Sequence, residues 1–567
     1  MSDALANQCE SVVVGSGSEV RRNDQRPEAL EDGDQHGSHQ QECIASSEKD
    51  EHARSKNRRR TQGTAEERKP AKKQRTKEPP AAHVPTLKDL KDRMKKRGKG
   101  AGAREESVIQ RSAPLMEWPY DTQLTMKATY VKSAVRSFTK QVRSRAEDRD
   151  EQIPAWATPE WSLASRAPVG CGCPLDDPIG TPAEHLSGYR NKCEFTIGLT
   201  ESGSREVGFV LRVLGDGGQL VAGCQDVPHV PAPMKRLCTE VRRIVEASPF
   251  PVYDRRRNLQ SGVWRLLMAR LSTAGEMLVL IQTATLGDAD RQRFEESLVS
   301  SLVSTNLGVV SIYLQFNDEV TDAARPESPL WHVHGRTHLR MPLLGLSFEI
   351  GPLSFFQANS ATCAALYETA LAWLRPEGAV VLDVCCGVGT IGLCAAGRCR
   401  RVIGIELVAE AVEAARRNAA LNGVENASFR VGKAEDVLPG LLAELAAAPG
   451  WAPGELCAVV DPPRPGLHPQ VLAALRGCAP LGRVVYISCN PESLAEDVVR
   501  LTAPRETEPD PFVPVRAVAV DMFPHTLHCE MVLLLERASR VADPRPAAGG
   551  AAAPAAPAAP VASATAG

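Results

Sequence analysis

The feature that most constrains this chain is a rhythm in its last third. From about residue 379 to 537, short continuous apolar runs alternate with helix-periodic stretches. The runs are AVVLDV (Ala379–Val384), RVIGIE (Arg401–Glu406), SFRVG, LCAVVD (Leu456–Asp461), RVVYIS, VRAVAVD and EMVLLLE. A strand that is apolar on both faces must be covered on both faces, and strands separated by helices run parallel. The reading is an α/β fold with a seven-stranded, doubly wound sheet. The last two runs are joined by a short loop, so they form an antiparallel pair at its end.

Ahead of this region, shorter runs such as EFTIGL, VGFVLR, QLVAGC, EMLVLIQTA and VVSIYLQF surround a helical stretch, Met234–Ala247. They predict a mixed α/β domain over residues 187–345, preceding a catalytic domain over 346–538. Residues 113–186 read as a polar helical linker, with Leu124, Met126, Val131 and Val135 on one side.

The chain ends differ in composition. Residues 1–50 carry 4 Lys/Arg and 11 Asp/Glu, whereas residues 51–100 carry 18 and 6. Both segments are poor in aromatics, which predicts disorder over 1–112. Two basic clusters, Lys56–Arg60 and Lys69–Arg75, fit a nuclear address, an RNA-phosphate tail or a solvated linker alike. Residues 539–567 are Ala/Pro-rich and read as a flexible tail. No apolar run spans a bilayer and no signal-peptide pattern opens the chain. The 16 cysteines are scattered, as expected of reduced thiols in an intracellular protein, with nucleus, cytosol and an organelle all left open.

Four strand ends carry chemistry. The first run ends in DVCCGVGTIG, Asp383 to Gly392. Glycines there let the backbone approach a ligand closely. Gly387, Gly389 and Gly392 also match a dinucleotide spacing, but Asp383 would repel a pyrophosphate and attract a sulfonium. S-adenosylmethionine therefore suits this turn better, with Glu406 at the second strand end facing the ribose hydroxyls. The fourth run ends in DPPRPG (Asp461–Gly466), a rigid turn with Arg464 where amine methyltransferases carry an aromatic. The fifth ends in Cys489, followed by Asn490 and Pro491. A thiolate at that tip can add to C6 of a pyrimidine and make C5 nucleophilic. Such chemistry needs a base on the same sheet edge and an extruded pyrimidine. Glu530 ends the loop DMFPHTLHCE and is the base candidate, with His525 and His528 as alternatives. Before the first strand, PLSFFQANS offers Gln357 and Asn359 to a ligand, with Phe355 and Phe356 read as core.

Taken in order, FFQAN, DVCCGVGTIG, GIEL, DPPRPGLH, ISCNP and DMFPHTLHCE resemble the tRNA (uracil-5-)-methyltransferases, homolog A type, over residues 113–537. The resemblance implies a class I S-adenosylmethionine-dependent methyltransferase fold with a preceding RNA-binding domain. It implies that Cys489 is the nucleophile and Glu530 the base. Gln357, Glu406 and Asp461 would hold S-adenosylmethionine, with Asp383 and Gly387 beside them. The product would be 5-methyluridine, usually at position 54 of tRNA. Tyr189, Arg190 and Lys192 become RNA-contact candidates by charge and stacking, as do Arg255, Arg256, Arg257 and Arg265 more weakly.

The sequence departs from that family in three places. Residues 1–110 offer no aromatic strand of the RNA-recognition type common in the homolog A branch. Cys385 stands where bacterial relatives carry an aromatic. Cys171, Cys173 and Cys193 fall short of the four cysteines of a cluster, so no metal is expected. Two other readings remain. An RNA cytosine C5-methyltransferase uses the same thiolate logic but carries Pro-Cys in the fourth-strand motif. An RNA-binding factor on an inactive scaffold would not need Cys489 and Glu530 together.

Overall fold

The computed structural model describes residues 85–97, 107–213, 219–254, 262–319, 328–447, 455–503 and 510–545, all within one compact unit, Ala81–Gly567. The two basic clusters, Arg255–Arg257 and most of the Ala/Pro tail lie outside the described residues. Among those described, no helix is long and apolar enough to cross a membrane.

Helices α1 (Leu87–Arg97), α2 (Val108–Ser112), α3 (Tyr120–Asp148) and α4 (Pro159–Ala164) come first. The expectation of disorder over 1–112 fails at α1 and α2. Thr86 and Asp89 cap α1 reciprocally, Asp89 N donating to Thr86 Oγ1 at 3.2 Å and Thr86 N to Asp89 Oδ2 at 3.0 Å. Leu87 is then buried with Leu115, Met126, Tyr130 and Leu527, partners too distant in sequence for local composition to reveal.

The linker reading of 113–186 also gives way. Helix α3 buries Val131, Ala134, Val135, Phe138 and Val142, a stripe at i, i+3, i+4, i+7 and i+11. Those side chains share one core with the catalytic sheet. Residues 175–179 then run along that sheet's edge, Asp176 N donating to Ala517 O and Ile179 N to Ala519 O, both at 2.9 Å. An edge covered in this way offers no ladder to another chain.

The first sheet contains β1 (Lys192–Leu199), β2 (Arg205–Val213), β3 (Gln219–Gly223), β4 (Trp264–Leu271), β5 (Met277–Thr283), β6 (Val309–Phe316) and β7 (Leu330–Gly335), in the order β2-β3-β1-β4-β5-β6-β7. Helices α5 (Ala232–Ala247) and α6 (Asp288–Val303) bury Leu237, Val241, Phe294 and Leu298 in a core with Phe195, Ile197 and Leu267. A hairpin follows, β8 (Leu339–Leu343) with β9 (Leu346–Ile350), so a domain boundary at 345/346 divides paired strands.

Beyond α7 (Ser360–Leu374) the second sheet begins. Its strands are β10 (Val380–Val384), β11 (Arg401–Glu406), β12 (Ala427–Val431), β13 (Leu456–Val460), β14 (Leu481–Ser488), β15 (Phe512–Val520) and β16 (Glu530–Arg537). Their order is β12-β11-β10-β13-β14-β16-β15, parallel through β14, with β16 antiparallel to both its neighbours. The connecting helices are α8 (Thr390–Ala396), α9 (Ala409–Leu421), α10 (Ala434–Ala447), α11 (Pro469–Gly477) and α12 (Pro491–Thr502). Successive residues of β10 enter opposite cores. Val380, Leu382 and Val384 pack with α3, α10, α11 and α12, while Val381 packs with α7, α8 and α9. Burial on both faces is why these strands are apolar throughout.

Candidate active site

In a doubly wound sheet, ligands bind outside the carboxyl ends of the strands. Here that edge gathers the glycine turn after β10, Glu406 after β11, Asp461 after β13, Cys489 after β14 and Glu530 at the start of β16.

Asp383 is fully buried, and its Oδ2 accepts the Gly392 N–H at 2.8 Å. A Cβ on Gly392 would stand 2.7 Å from Val402 Cγ1 and 2.9 Å from Asp383 Oδ2, so only glycine lets α8 start this close to the sheet. Gly387, at φ +55°, faces open space, and its N–H donates to Glu406 Oε2 at 3.0 Å. Glu406 Oε1 accepts the Val408 N–H at 2.9 Å. The Asp383 Oδ1 is buried and makes no hydrogen bond among the described residues. Asp383 therefore organises the turn directly. Gln357 is buried, and its carbonyl accepts from Asn191 Nδ2 at 2.8 Å.

Cys489 occupies the tip for a mechanical reason as well. Asn490 Oδ1 accepts the Glu492 N–H at 3.3 Å and caps α12, and Pro491 starts that helix where no N–H is needed. Asn490 Nδ2 donates to Arg464 O at 3.0 Å, tying the cysteine turn to the DPPRPG turn. Asp497 Oδ2 accepts from Leu467 N and the Tyr486 hydroxyl, both at 2.7 Å, and fixes the far end of that turn. Ser488 pairs with Met531 in the antiparallel ladder. Continuing that register by one residue puts Glu530 opposite Cys489.

The electrostatics form an acidic line along this edge. Burial, reinforced by Glu406, pushes Asp383 up to about 7. Burial and then Asp383 push Asp461 up to about 7. Burial and Asp461 push Glu530 up to about 8, against the pull of Arg464. Burial, Glu530 and Asp461 raise the half-buried Cys489 thiol, again opposed by Arg464. Each group raises the next because like charges crowd a low-dielectric edge. A cationic ligand would relieve that repulsion, and the open face of Gly387 leaves room for one. This donor set fits the sulfonium and ammonium of S-adenosylmethionine.

The loop from Asp521 to Cys529, which delivers Glu530, is held from outside its own domain. Lys127 on α3 meets Asp521 Oδ1 at 2.5 Å and donates to Phe523 O at 2.9 Å, with both charged side chains buried. Gln123 Oε1 accepts the His525 N–H at 2.9 Å. The Leu186 carbonyl lies 3.1 Å from His525 Nε2 and can only accept, so Nε2 carries the proton. His525 Nδ1 then accepts from Gln123 Nε2 at 3.1 Å, and both ring nitrogens are committed. Asn359 Nδ2 donates to Met522 O at 3.2 Å. His528 is driven down to about 4 by burial and by Arg464, Lys91, Lys127 and Arg190, which makes it a weak base.

Several expected contacts move elsewhere. Tyr189 is buried, its hydroxyl donating to Pro524 O at 3.1 Å, so it braces the loop that leads to Glu530 instead of stacking on RNA. Arg265 is buried and donates to the Asn317 and Glu319 carbonyls. Lys192 is paired with Glu194 at 2.8 Å and is half-buried. Arg190 lines a cavity of about 560 Å³ with Asn191, Asn359 and Ser360. Phe356 is core, but Phe355 is 66% exposed. Lys127 and Gln123 carry no motif that marks them as parts of the site. For Lys127 a signal exists, since it is a charge set among the core-facing positions Met126, Tyr130 and Val131.

Strand order, glycine turn and strand-end acids together define a class I methyltransferase. Comparison with known proteins narrows the class. The family model for tRNA (Uracil-5-)-methyltransferase matches residues 344–538. The chain is 34% identical to mouse tRNA (uracil-5-)-methyltransferase homolog A over 459 residues, 79% of this chain and 72% of that one. It is 32% identical to the zebrafish homolog B over 452 residues, 76% of this chain and 87% of that one. The chain belongs to the tRNA (uracil-5-)-methyltransferase family. Its fold is also that of the Pyrococcus abyssi tRNA (uracil-54, C5)-methyltransferase in complex with S-adenosyl-L-homocysteine, with a TM-score of 0.52 and 24% identity over 76% of this chain and 88% of that one.

Proposed function

We propose that this enzyme methylates C5 of a uridine in tRNA, at T-loop position 54, with S-adenosylmethionine as methyl donor. The observation that carries the reading is the register that sets Glu530 across from Cys489, beside a glycine turn in an acidic line. Family membership supports the tRNA substrate and uracil C5 as the target.

Gln357, Asp383, Gly387, Glu406 and Asp461 hold the cofactor. When bound, it supplies an electrophilic methyl group to C5. The Cys489 thiolate adds to C6 of the extruded uracil, and the C5–C6 π electrons move toward O4 as an enolate. After C5 is alkylated, the Glu530 carboxylate removes the C5 proton. The C5–H electrons rebuild the double bond, the S–C6 bond breaks and Cys489 leaves as the thiolate. Arg464 stabilises both anions, since its charge opposes the burial penalty of Cys489 and Glu530 alike. The β1–β7 body grips the RNA, with the Arg190 cavity open to it.

The test is methyl transfer from labelled S-adenosylmethionine to tRNA lacking 5-methyluridine, followed by nucleoside analysis. A 5-methyluridine peak that disappears with Cys489→Ala, while tRNA binding persists, is expected. Turnover by Cys489→Ala would refute the nucleophile, and a 5-methylcytidine peak would move the enzyme to the cytosine reading.

A further inference from the structure

Helix α1 has a chemistry that the catalytic steps do not use. Its sequence, LKDLKDRMKKR, holds six Lys/Arg against two Asp. One of those acids, Asp89, is committed to the Thr86 cap. Of its basic residues, Lys88 is exposed and Lys91 half-buried.

The helix is docked at a specific place. Leu87 is buried and Leu90 packs beside it against Leu115, Met126, Tyr130 and Leu527. Leu527 belongs to the loop that delivers Glu530. The Lys91 ammonium sits 4.1 Å from the centroid of the Tyr130 ring. The Tyr130 hydroxyl donates to Glu492 Oε1 at 3.3 Å, in the first turn of the helix that follows Cys489. The charges of Lys91, Arg464 and Arg190 all reach His528. Positive groups thus border a site whose floor is acidic. A nucleic acid entering that site brings phosphates that the floor repels and the border attracts.

We propose that α1 is a phosphate-binding element at the rim of the active site, gripping the tRNA backbone beside the extruded uridine. The proposal rests on the tRNA reading above. It assigns substrate binding to a helix that lies ahead of the expected RNA-binding domain. Buried Leu87 and partly buried Leu90 fix the position of the helix, and Lys88 and Lys91 supply point charges for the phosphate oxygens.

The test uses the full chain with Lys88 and Lys91 both replaced by glutamine. Wild type and variant are compared in direct tRNA binding and in tRNA methylation across a salt series. Loss of two phosphate contacts makes the slope of log affinity against log salt shallower by about 2. It also raises the KM for tRNA roughly tenfold at physiological salt, with the effect on KM and not on kcat. Leu87→Asp, which undocks α1 with its lysines intact, is expected to weaken tRNA binding in the same way. An unchanged salt slope in the glutamine variant overturns the proposal. So does weakened binding in Leu87→Asp alone, which would make α1 a structural brace. A wild-type enzyme that yields no 5-methyluridine, yet shows the shallower slope in the variant, supports the helix and refutes the functional reading instead.

Discussion

Replacing Glu530 with glutamine removes a charge and leaves the shape. Glu530 is 3% exposed, and burial with Asp461 holds its carboxyl up at about 8, against 4.5 for the free side chain. An unfolded chain has this group ionised above about pH 4.5. The folded chain keeps it protonated until about pH 8. Folding therefore takes up a proton in that window, and stability falls as pH rises through it, then levels off. At about 1.4 kcal/mol per pH unit the penalty reaches at most about 5 kcal/mol at pH 8. Glutamine escapes it. Even a third of that ceiling raises Tm by about 2 °C, at about 1 °C per kcal/mol for a folded body of this size. The assay is thermal unfolding of cofactor-free protein from pH 5 to 8.5. Glu530→Gln should match wild type at the acid end and gain on it steadily towards pH 8, while losing turnover and trapping RNA on Cys489. A variant no more stable than wild type at pH 8, or a gain independent of pH, would refute the electrostatic account of this edge.

Three further outcomes are expected. Lys127→Met strands the buried Asp521 and should destabilise the protein by about 3–5 kcal/mol in urea unfolding, with kcat falling because the base loop loses its brace; a further Asp521→Leu change should recover much of the stability. Gly392→Ala forces α8 off the sheet and should lose about 1–3 kcal/mol while raising the KM for S-adenosylmethionine, checked by unfolding and by kinetics. S-adenosylmethionine carries one more positive charge than S-adenosylhomocysteine, so calorimetry should find its advantage growing with pH between about 6 and 9 as Asp461 and Glu530 ionise; a flat ratio would count against the acidic line as the cation's partner.

The second sheet was legible because its strands are buried on both faces and separated by helices, the pattern of parallel α/β layouts. The chemistry at the strand tips was legible for a related reason, since Asp383, Asp461 and Cys489 interrupt apolar runs where a buried strand has no use for them. The docking of α1 and α3 was not. Each needs a partner hundreds of residues away, as Leu87 needs Leu527, and composition nearby speaks only for solvation. Tyr189 was misread for the opposite reason. Beside Arg190 and Lys192 it has the composition of an RNA-facing strand, but its hydroxyl finds Pro524 and its ring goes inward. Strand β4, WRLLMARL, and helix α6 went unmarked. One lacks alternation, and the other has few apolar positions over its length.

The placement of β16 has a consequence for how the enzyme is made. Among the described residues it is the last strand in the chain, yet it lies between β14 and β15 and begins with Glu530. The brace from Lys127 to Asp521 spans 394 residues of chain. A growing polypeptide on the ribosome can therefore carry Cys489 but has no seated base. Long-range closure of this kind comes late in folding. On the proposed mechanism, an unfinished chain could form the Cys489 adduct but not resolve it, and activity would begin only once translation had delivered the strand that carries Glu530.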